Sequence, residues 1–362
     1  MFNDFYRGRR VLVTGHTGFK GSWLCQWLLK LGAEVQGYAL APPTTPSLFE
    51  QLGLATQLAD TRADIRNRDQ LTSVIRDFDP EIVFHLAAQP LVRYSYQNPI
   101  ETYETNVMGS IYVLEALRTL NRPCVAVMVT TDKCYENREW VFGYREVDPM
   151  GGADPYSSSK GMAELAIAAY RRSYFGDGQV RVASARAGNV IGGGDWAIDR
   201  IVPDCVRALT AKEPIVVRNP AATRPWQHVL EPLHGYLLLA ANLVDADDRA
   251  RYETAFNFGP TSRSNRSVED LVTEVLKHWP GGHSEDVSDP KAVHEASLLH
   301  LSIDRAAAVL KWYPRWGFQE TIARTVEWYQ SVVTNPQTAI ERTKRQIDQY
   351  ELAIARDQHD DQ

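Results

Sequence analysis

Arg10–Thr14 (RVLVT) running into Gly15–Gly21 (GHTGFKG) is the stretch that sets the fold of this chain. The β-branched run reads as a buried strand, and from Phe19 to Leu31 apolar residues recur at helical spacing. Strand, glycine turn and helix therefore follow one another in the order a βα unit requires. Gly15, Gly18 and Gly21 let the chain turn tightly and bring backbone N–H groups and a helix N-terminus against a pyrophosphate. Three glycines also make a plain tight turn. The flanking strand and helix are what favour the phosphate reading.

Outward from that unit, strands and helices alternate. Glu34–Leu40 is a second strand, Asp60–Arg66 a third that brings Asp64 and Ile65 to its end, and Ile82–Leu86 (IVFHL) a continuous apolar strand of the kind buried on both faces. Asp64 is either a ligand of an adenine amino group or a cap for the helix that follows. His85 reads as a satisfied core histidine. The small residues Ala87 and Ala88 allow a flat cofactor, or a packed helix, to approach the backbone. Tyr103–Leu120 is helical and contains Asn106, and Cys124–Thr130 is an apolar strand that empties into Thr131-Asp132-Lys133. A Gly/Pro-rich loop leads to a helix from Pro155, and Arg181–Ala187 is a further strand. The fold class is α/β: a Rossmann-like, doubly wound parallel sheet with a smaller, interleaved C-terminal substrate-binding region. Residues 1–187 form the dinucleotide domain, with return segments near 212–260, and 188–335 are mainly substrate-binding. The polar tail 336–362 is expected to pack outside the core or on a partner.

Composition narrows the function classes. With 362 residues, 44% hydrophobic, the chain is long enough for a large core. Its 39 basic residues are scattered and the formal net charge is -6, so no nucleic-acid footprint appears. No apolar run is long enough to span a bilayer, and the first ten residues carry no apolar segment of a secretory leader. The four cysteines show no metal or disulfide spacing, so reduced thiols in a cytoplasmic protein, and no metal, are expected.

Tyr156-Ser-Ser-Ser-Lys160 opens the helix after the Gly/Pro-rich loop. Its tyrosine and lysine, four apart, project from one helix face. A cation beside a phenol favours the phenolate and so lowers the pH at which the tyrosine accepts a proton. By itself the pentad is equally an ordinary helix start.

Taken together, Thr14–Gly21 (TGHTGFKG), His85–Arg93 (HLAAQPLVR), Thr130–Asn137 (TTDKCYEN), Pro155–Lys160 (PYSSSK), Ala185–Trp196 (ARAGNVIGGGDW) and Thr223–Val229 (TRPWQHV) resemble the extended short-chain dehydrogenases/reductases, in their nucleotide-sugar 4,6-dehydratase branch. The resemblance spans most of the chain. It implies that NAD is held by Gly15, Gly18, Phe19, Gly21, Asp64, Ile65, Leu86, Ala87, Ala88, Asn106, Tyr156 and Lys160. Lys160 would hold the nicotinamide ribose and lower the Tyr156 pKa. It further implies a nucleotide-sugar substrate met by Gln89, Thr131, Asn189, Arg200, Arg224 and Asn257, with Arg224 on the diphosphate because a guanidinium grips phosphate oxygens bidentately. One expected feature is missing: the second strand runs Tyr38-Ala39-Leu40-Ala41, with no acid for the adenosine ribose and no arginine cluster for a 2'-phosphate, so the choice of NAD over NADP rests on the resemblance.

The catalytic set that the resemblance implies is Thr131, Asp132, Lys133, Tyr156 and Lys160. In the dTDP-glucose branch the strand end reads Thr-Asp-Glu; Lys133 departs from it and resembles the CDP-glucose branch, which implies CDP-glucose as substrate. Asp132 is then the acid for the departing C6 hydroxyl and Lys133 the base at C5, the alternative being a strand-end salt bridge. Rival readings are a 4-epimerase, a dehydratase for another nucleotide, and a non-catalytic NAD(P)-binding scaffold. Elimination chemistry at Asp132-Lys133 argues against the epimerase, and retention of Thr131, Tyr156 and Lys160 against the scaffold. By resemblance the assembly is a homodimer or homotetramer, paired through Tyr103–Leu120 and Pro155–Tyr174.

Overall fold

Six segments become six parallel strands: β1 (Arg10–Thr14), β2 (Glu34–Ala39), β3 (Ala59–Arg62), β4 (Ile82–His85), β5 (Cys124–Thr130) and β6 (Val180–Arg186). The chain returns much later with β7 (Ala255–Asn257) to complete a sheet in the order β7-β6-β5-β4-β1-β2-β3. All pairings are parallel. Strand order reverses between β1 and β4, and open parallel sheets bind ligands at the carboxyl ends beside such a switch. The register brings Thr14 opposite His85, Thr130 opposite Arg186, and Arg186 opposite Asn257, so five strand ends lie along one rim. The computed structural model describes residues 2–176, 178–245, 248–288 and 298–360.

Helices cover both faces. On one, α1 (Phe19–Lys30), α5 (Leu230–Asp245), α6 (Phe318–Thr334) and α7 (Ala339–Asp360) enclose the larger core with Trp23, Trp27 and Trp328. On the other, α2 (Arg68–Phe78), α3 (Gly109–Leu117) and α4 (Pro155–Tyr174) pack over Leu12, Val83 and Met128. Val83 and Phe84 are neighbours in β4 and point into opposite cores, which is why that strand is apolar throughout.

Two expectations change. The helix expected over Tyr103–Leu120 is broken into Pro99–Tyr103, a π-helical turn Glu104–Met108 that holds Asn106, and α3. π-turns of this kind commonly mark functional positions. The tail does not lie outside the core. Thr343, Ile347, Tyr350 and Ile354 fall on one stripe of α7 and are buried, while the polar residues that dominate its composition face out. At about 1.5–3 kcal/mol for each large apolar side chain fully buried, that stripe is enough to dock the helix. Residues 361–362 of the tail lie outside the described residues.

Candidate active site

The glycine turn is built to admit a ligand backbone-first. Gly15 has φ of 75°, and a Cβ there would lie 2.7 Å from Ala87 N; a Cβ at Gly21 would lie 2.1 Å from Gly15 O. Those two glycines close the turn on itself and on the end of β4. Gly18 caps α1 with no side-chain hydrogen bond, so the helix's first N–H groups are left for a ligand. This fits a dinucleotide pyrophosphate. Phe19 packs beside Gly192, and Leu86 and Ala87 line the core edge by the turn.

Where β2 lacks an acid, β3 supplies charge. Asp60 accepts from His16 Nε2 at 2.8 Å and from Arg62 Nε at 2.9 Å, and the Arg62 guanidinium reaches toward the Leu40 carbonyl and stacks over Phe49. Ala39 pairs in register with Arg62, which places this cluster at the end of β2. The acid sits on the neighbouring strand, which the sequence of β2 does not disclose. Asp64 is gripped by Arg66, Nη2 to Oδ2 at 2.7 Å, and does not cap α2, whose cap is Asn67. Ile65 is buried in the second core against Gly109.

At the other side of the switch, Thr131, Asp132, Tyr156 and Lys160 converge. Asp154 caps α4, accepting from Ser157 N at 2.9 Å, with Pro155 at the first turn, and so fixes where Tyr156 and Lys160 project. Both side chains are buried. Burial pushes the Tyr156 phenol up to about 12; a hydrogen bond with Thr131 and the Arg200 charge pull it down, and Asp132 pushes it up. The expectation that a nearby lysine brings the phenol toward neutrality is therefore not met by the protein alone: desolvation outweighs the charges around it. The same burial lowers Lys160 to about 8, opposed by Glu164 and Cys134.

Thr131 Oγ1 donates to Asp132 Oδ1 at 2.8 Å, and Asn189 Nδ2 donates to Asp132 Oδ2 at 3.1 Å. Asp132 is thus held against the loop after β6. Lys133 is partly exposed, its backbone N–H at 3.4 Å from Thr131 Oγ1. Arg200 bonds Asp195 at 3.4 Å and bears on Tyr156, which puts it at the same cleft. Arg224 lies in the short strand Thr223–Pro225, paired antiparallel with Asn265–Ser267, with Nη1 on the Thr223 carbonyl at 2.8 Å.

Three expected ligands are occupied elsewhere. Asn257 is fully buried, donating to the Tyr144 and Ser302 carbonyls and accepting from Tyr135 Oη at 2.7 Å. Asn106 donates to the Gln89 carbonyl and Ser159 Oγ and accepts from Gln89 N at 2.9 Å. Gln89 spends its amide on Thr102 and Leu91 N. All three brace the rim from behind, their hydrogen-bonding groups engaged with the protein. His85 is the satisfied core histidine expected, bonded to Thr14 at 2.8 Å and Ser110 at 3.1 Å and lowered to about 3 by burial and then by Lys160.

Lys20, in the first turn of α1, was not anticipated: burial and then Arg200 lower it to about 8, with Lys160 acting the same way and Asp132 and Asp195 opposing. A lysine inside an otherwise small and apolar turn was the available signal. Among the described residues no cluster of His, Cys, Asp and Glu could hold a metal, and all four cysteines are buried and unpaired.

Known proteins carry the same frame. The profile of the GDP-mannose 4,6 dehydratase family matches residues 12–325. The chain is 48% identical over 358 residues to the CDP-glucose 4,6-dehydratase of Salmonella typhimurium, covering 98% of this chain and 99% of that protein. Among solved structures, the UDP-glucose 4-epimerase of Thermotoga maritima superposes with a TM-score of 0.76 at 22% identity, covering 90% of this chain and 99% of the other. MoeE5 in complex with UDP-glucose and NAD superposes with a TM-score of 0.75 at 25% identity, again over 90% of this chain and 99% of the other.

Proposed function

The chain belongs to the GDP-mannose 4,6 dehydratase family of extended short-chain dehydrogenases/reductases, and on that premise we propose the NAD-dependent dehydration of CDP-D-glucose to CDP-4-dehydro-6-deoxy-D-glucose as its reaction. The observation that carries this reading is the 48% identity, end to end, to a CDP-glucose 4,6-dehydratase. The meeting of Thr131 and Asp132 with Tyr156, one helical turn from Lys160, at the carboxyl rim of the sheet supports it.

NAD, held at the glycine turn by Gly15, Gly18, Phe19 and Gly21, would take hydride from C4 and give it back at C6, and its positive nicotinamide ring would help lower the Tyr156 phenol. Thr131 bonds the sugar O4, and Tyr156 takes its proton. Lys160 holds the nicotinamide ribose and adds positive charge under the phenol. The resulting 4-ketone acidifies C5–H; Lys133 removes that proton, Asp132 protonates the C6 hydroxyl as it leaves as water, and Lys133 gives a proton back to C5 as hydride returns to C6. Arg200 and Arg224 hold the substrate diphosphate, and Asn189 keeps Asp132 in place. A 4-epimerase needs no such acid and base pair.

Ile100, Met108, Met162 and Leu165 expose apolar surface on the helical segment from Pro99 and on α4, which supports a homodimer paired through these helices, with a tetramer open to a second surface. Four buried free cysteines support a reducing, cytoplasmic setting, and among the described residues no helix is long and apolar enough to cross a membrane. A 4-keto-6-deoxy sugar nucleotide suits the assembly of deoxysugars in lipopolysaccharide O-antigen. Incubation with CDP-, dTDP-, UDP- and GDP-glucose, followed by the base-induced absorbance of a 4-keto-6-deoxy product, tests the reading. Turnover of CDP-glucose is expected; turnover of dTDP-glucose in its place overturns the substrate, and no product from any overturns the activity.

A further inference from the structure

Tyr156, Lys160 and Glu164 lie at successive four-residue steps on one face of α4, and all three are buried. The third has no part in the chemistry above, yet it is the most heavily engaged carboxylate near it. Glu164 accepts from Thr130 Oγ1 at 2.5 Å, from Ser184 Oγ at 2.8 Å and from Arg186 Nη2 at 2.7 Å. Thr130 is the last residue of β5 and Arg186 the last of β6, so a single carboxylate ties the catalytic helix to two strand ends. Arg186 carries the tie further. Its Nη1 donates to Tyr135 Oη at 2.7 Å and to the Glu146 carbonyl at 3.2 Å, and Tyr135 passes a hydrogen bond to Asn257 at the end of β7.

Burial pushes the Glu164 carboxyl up, but the Arg186 charge and the three donors outweigh it and hold the group below its ordinary range. An ionised carboxylate one helical turn from Lys160 opposes the loss of that lysine's proton. Of the other groups around Lys160, only Cys134 acts in the same direction, and it does so weakly because its thiol stays protonated. Cys134 is a buried thiol pushed far up, His85 is neutral, and Lys20 is a cation. Asp132, at the β5 end, is taken up by Thr131 and Asn189.

We propose that Glu164 is a positioning residue for the Tyr156–Lys160 pair: its carboxylate, held one helical turn from Lys160 on the same buried face, keeps that lysine an ammonium, and Arg186 governs how much of that negative charge Lys160 receives. The proposal rests on the reading that Lys160 acts as an ammonium beneath Tyr156. A buried ion pair that served only to hold the fold would make a different prediction, because its removal loosens packing without a preferred sign at Lys160.

The sign is the test. With lysine labelled at 13Cε and the Lys160 signal identified by its loss in Lys160→Met, the midpoint of Lys160 titration is read by NMR without any substrate. Glu164→Gln is expected to lower that midpoint by about one pH unit or more, since the anion is gone and Arg186 remains. Arg186→Met is expected to raise it, since no guanidinium then offsets the Glu164 charge. Arg186→Lys is expected to leave it near the wild-type value. The double variant Glu164→Gln/Arg186→Met removes both buried charges together, so that neither is left unpaired, and is expected to lower the midpoint. Shifts of the two single variants in the same direction, or no shift in the double variant, overturn the proposal. In turnover, Glu164→Gln should lose kcat at alkaline pH with KM for the nucleotide sugar within about threefold of wild type. If no nucleotide sugar is turned over by the wild type, the functional reading falls while the titration still decides the role of Glu164.

Discussion

Two glutamates, both buried, answer opposite needs in this protein. Glu164 sits on the catalytic helix with an arginine at 2.7 Å and is held below the ordinary carboxyl range. Glu231 sits on α5, where it accepts from Tyr350 Oη at 2.5 Å, Trp316 N at 2.7 Å and Arg315 N at 3.0 Å, and burial pushes it up to about 7 despite those donors. Three hydrogen bonds and the Arg315 charge do not offset desolvation at Glu231, whereas at Glu164 hydrogen bonds from the Arg186 guanidinium and two hydroxyls do. The contrast separates a region that keeps its charge for chemistry from one that uses a carboxyl to fasten the C-terminal helix. Substitutions in the first should remove activity and spare the fold; those in the second should do the reverse.

The strongest way to break that division is Tyr156→Phe. Loss of the proton acceptor is expected to lower kcat by about 10³- to 10⁴-fold, with NAD affinity kept, as read by steady-state rates and cofactor titration. Next, Lys133→Met should cost about 10³-fold in overall turnover and abolish solvent deuterium incorporation at C5, while oxidation at C4 continues; undiminished exchange removes Lys133 from the base role.

At the tail anchor the effects move to stability. The folded-state value of about 7 for Glu231 lies above its ordinary 4.5, so the folded protein binds the extra proton. Its contribution is fully present below about pH 4.5 and is lost as pH rises through about 7, by on the order of 3 kcal/mol. Denaturant unfolding across that window should show the loss, and Glu231→Gln should flatten it. Glu164 carries the opposite sign: its contribution holds above 4.5 and is lost as acid is added below that value. The smallest effect is Tyr350→Phe, which deletes one donor to Glu231 and should cost about 1–2 kcal/mol in the same measurement with kcat unchanged.

The part of this arrangement legible in the sequence is the part written locally. RVLVT followed by spaced glycines fixes a βα turn because strand length, glycine freedom and helix periodicity all act within some twenty residues. Tyr156 and Lys160 were legible for the same reason, being one helical turn apart. Their pKa behaviour was not, since it depends on burial set by β5 and β6. Glu164 was visible as the next step on that face, but its meaning depends on Arg186, which another strand delivers. Asp60 and Arg62 escaped notice because the acid expected on β2 came from β3. Asn257, Asn106 and Gln89 were placed at the right rim, yet their polar groups are engaged with the protein, a matter of partners that spacing does not disclose. Tyr350 lay hidden in a tail whose polar composition masked a narrow buried stripe.

The central claim is that oxidation begun at Tyr156 ends as loss of water, with the hydride returned to the same sugar. CDP-glucose deuterated at C4 tests it directly. The product should be a 4-keto-6-deoxy sugar with the deuterium at C6 and no net reduction of NAD. Deuterium accumulating on the cofactor, or retained at C4 of an epimer, would contradict it.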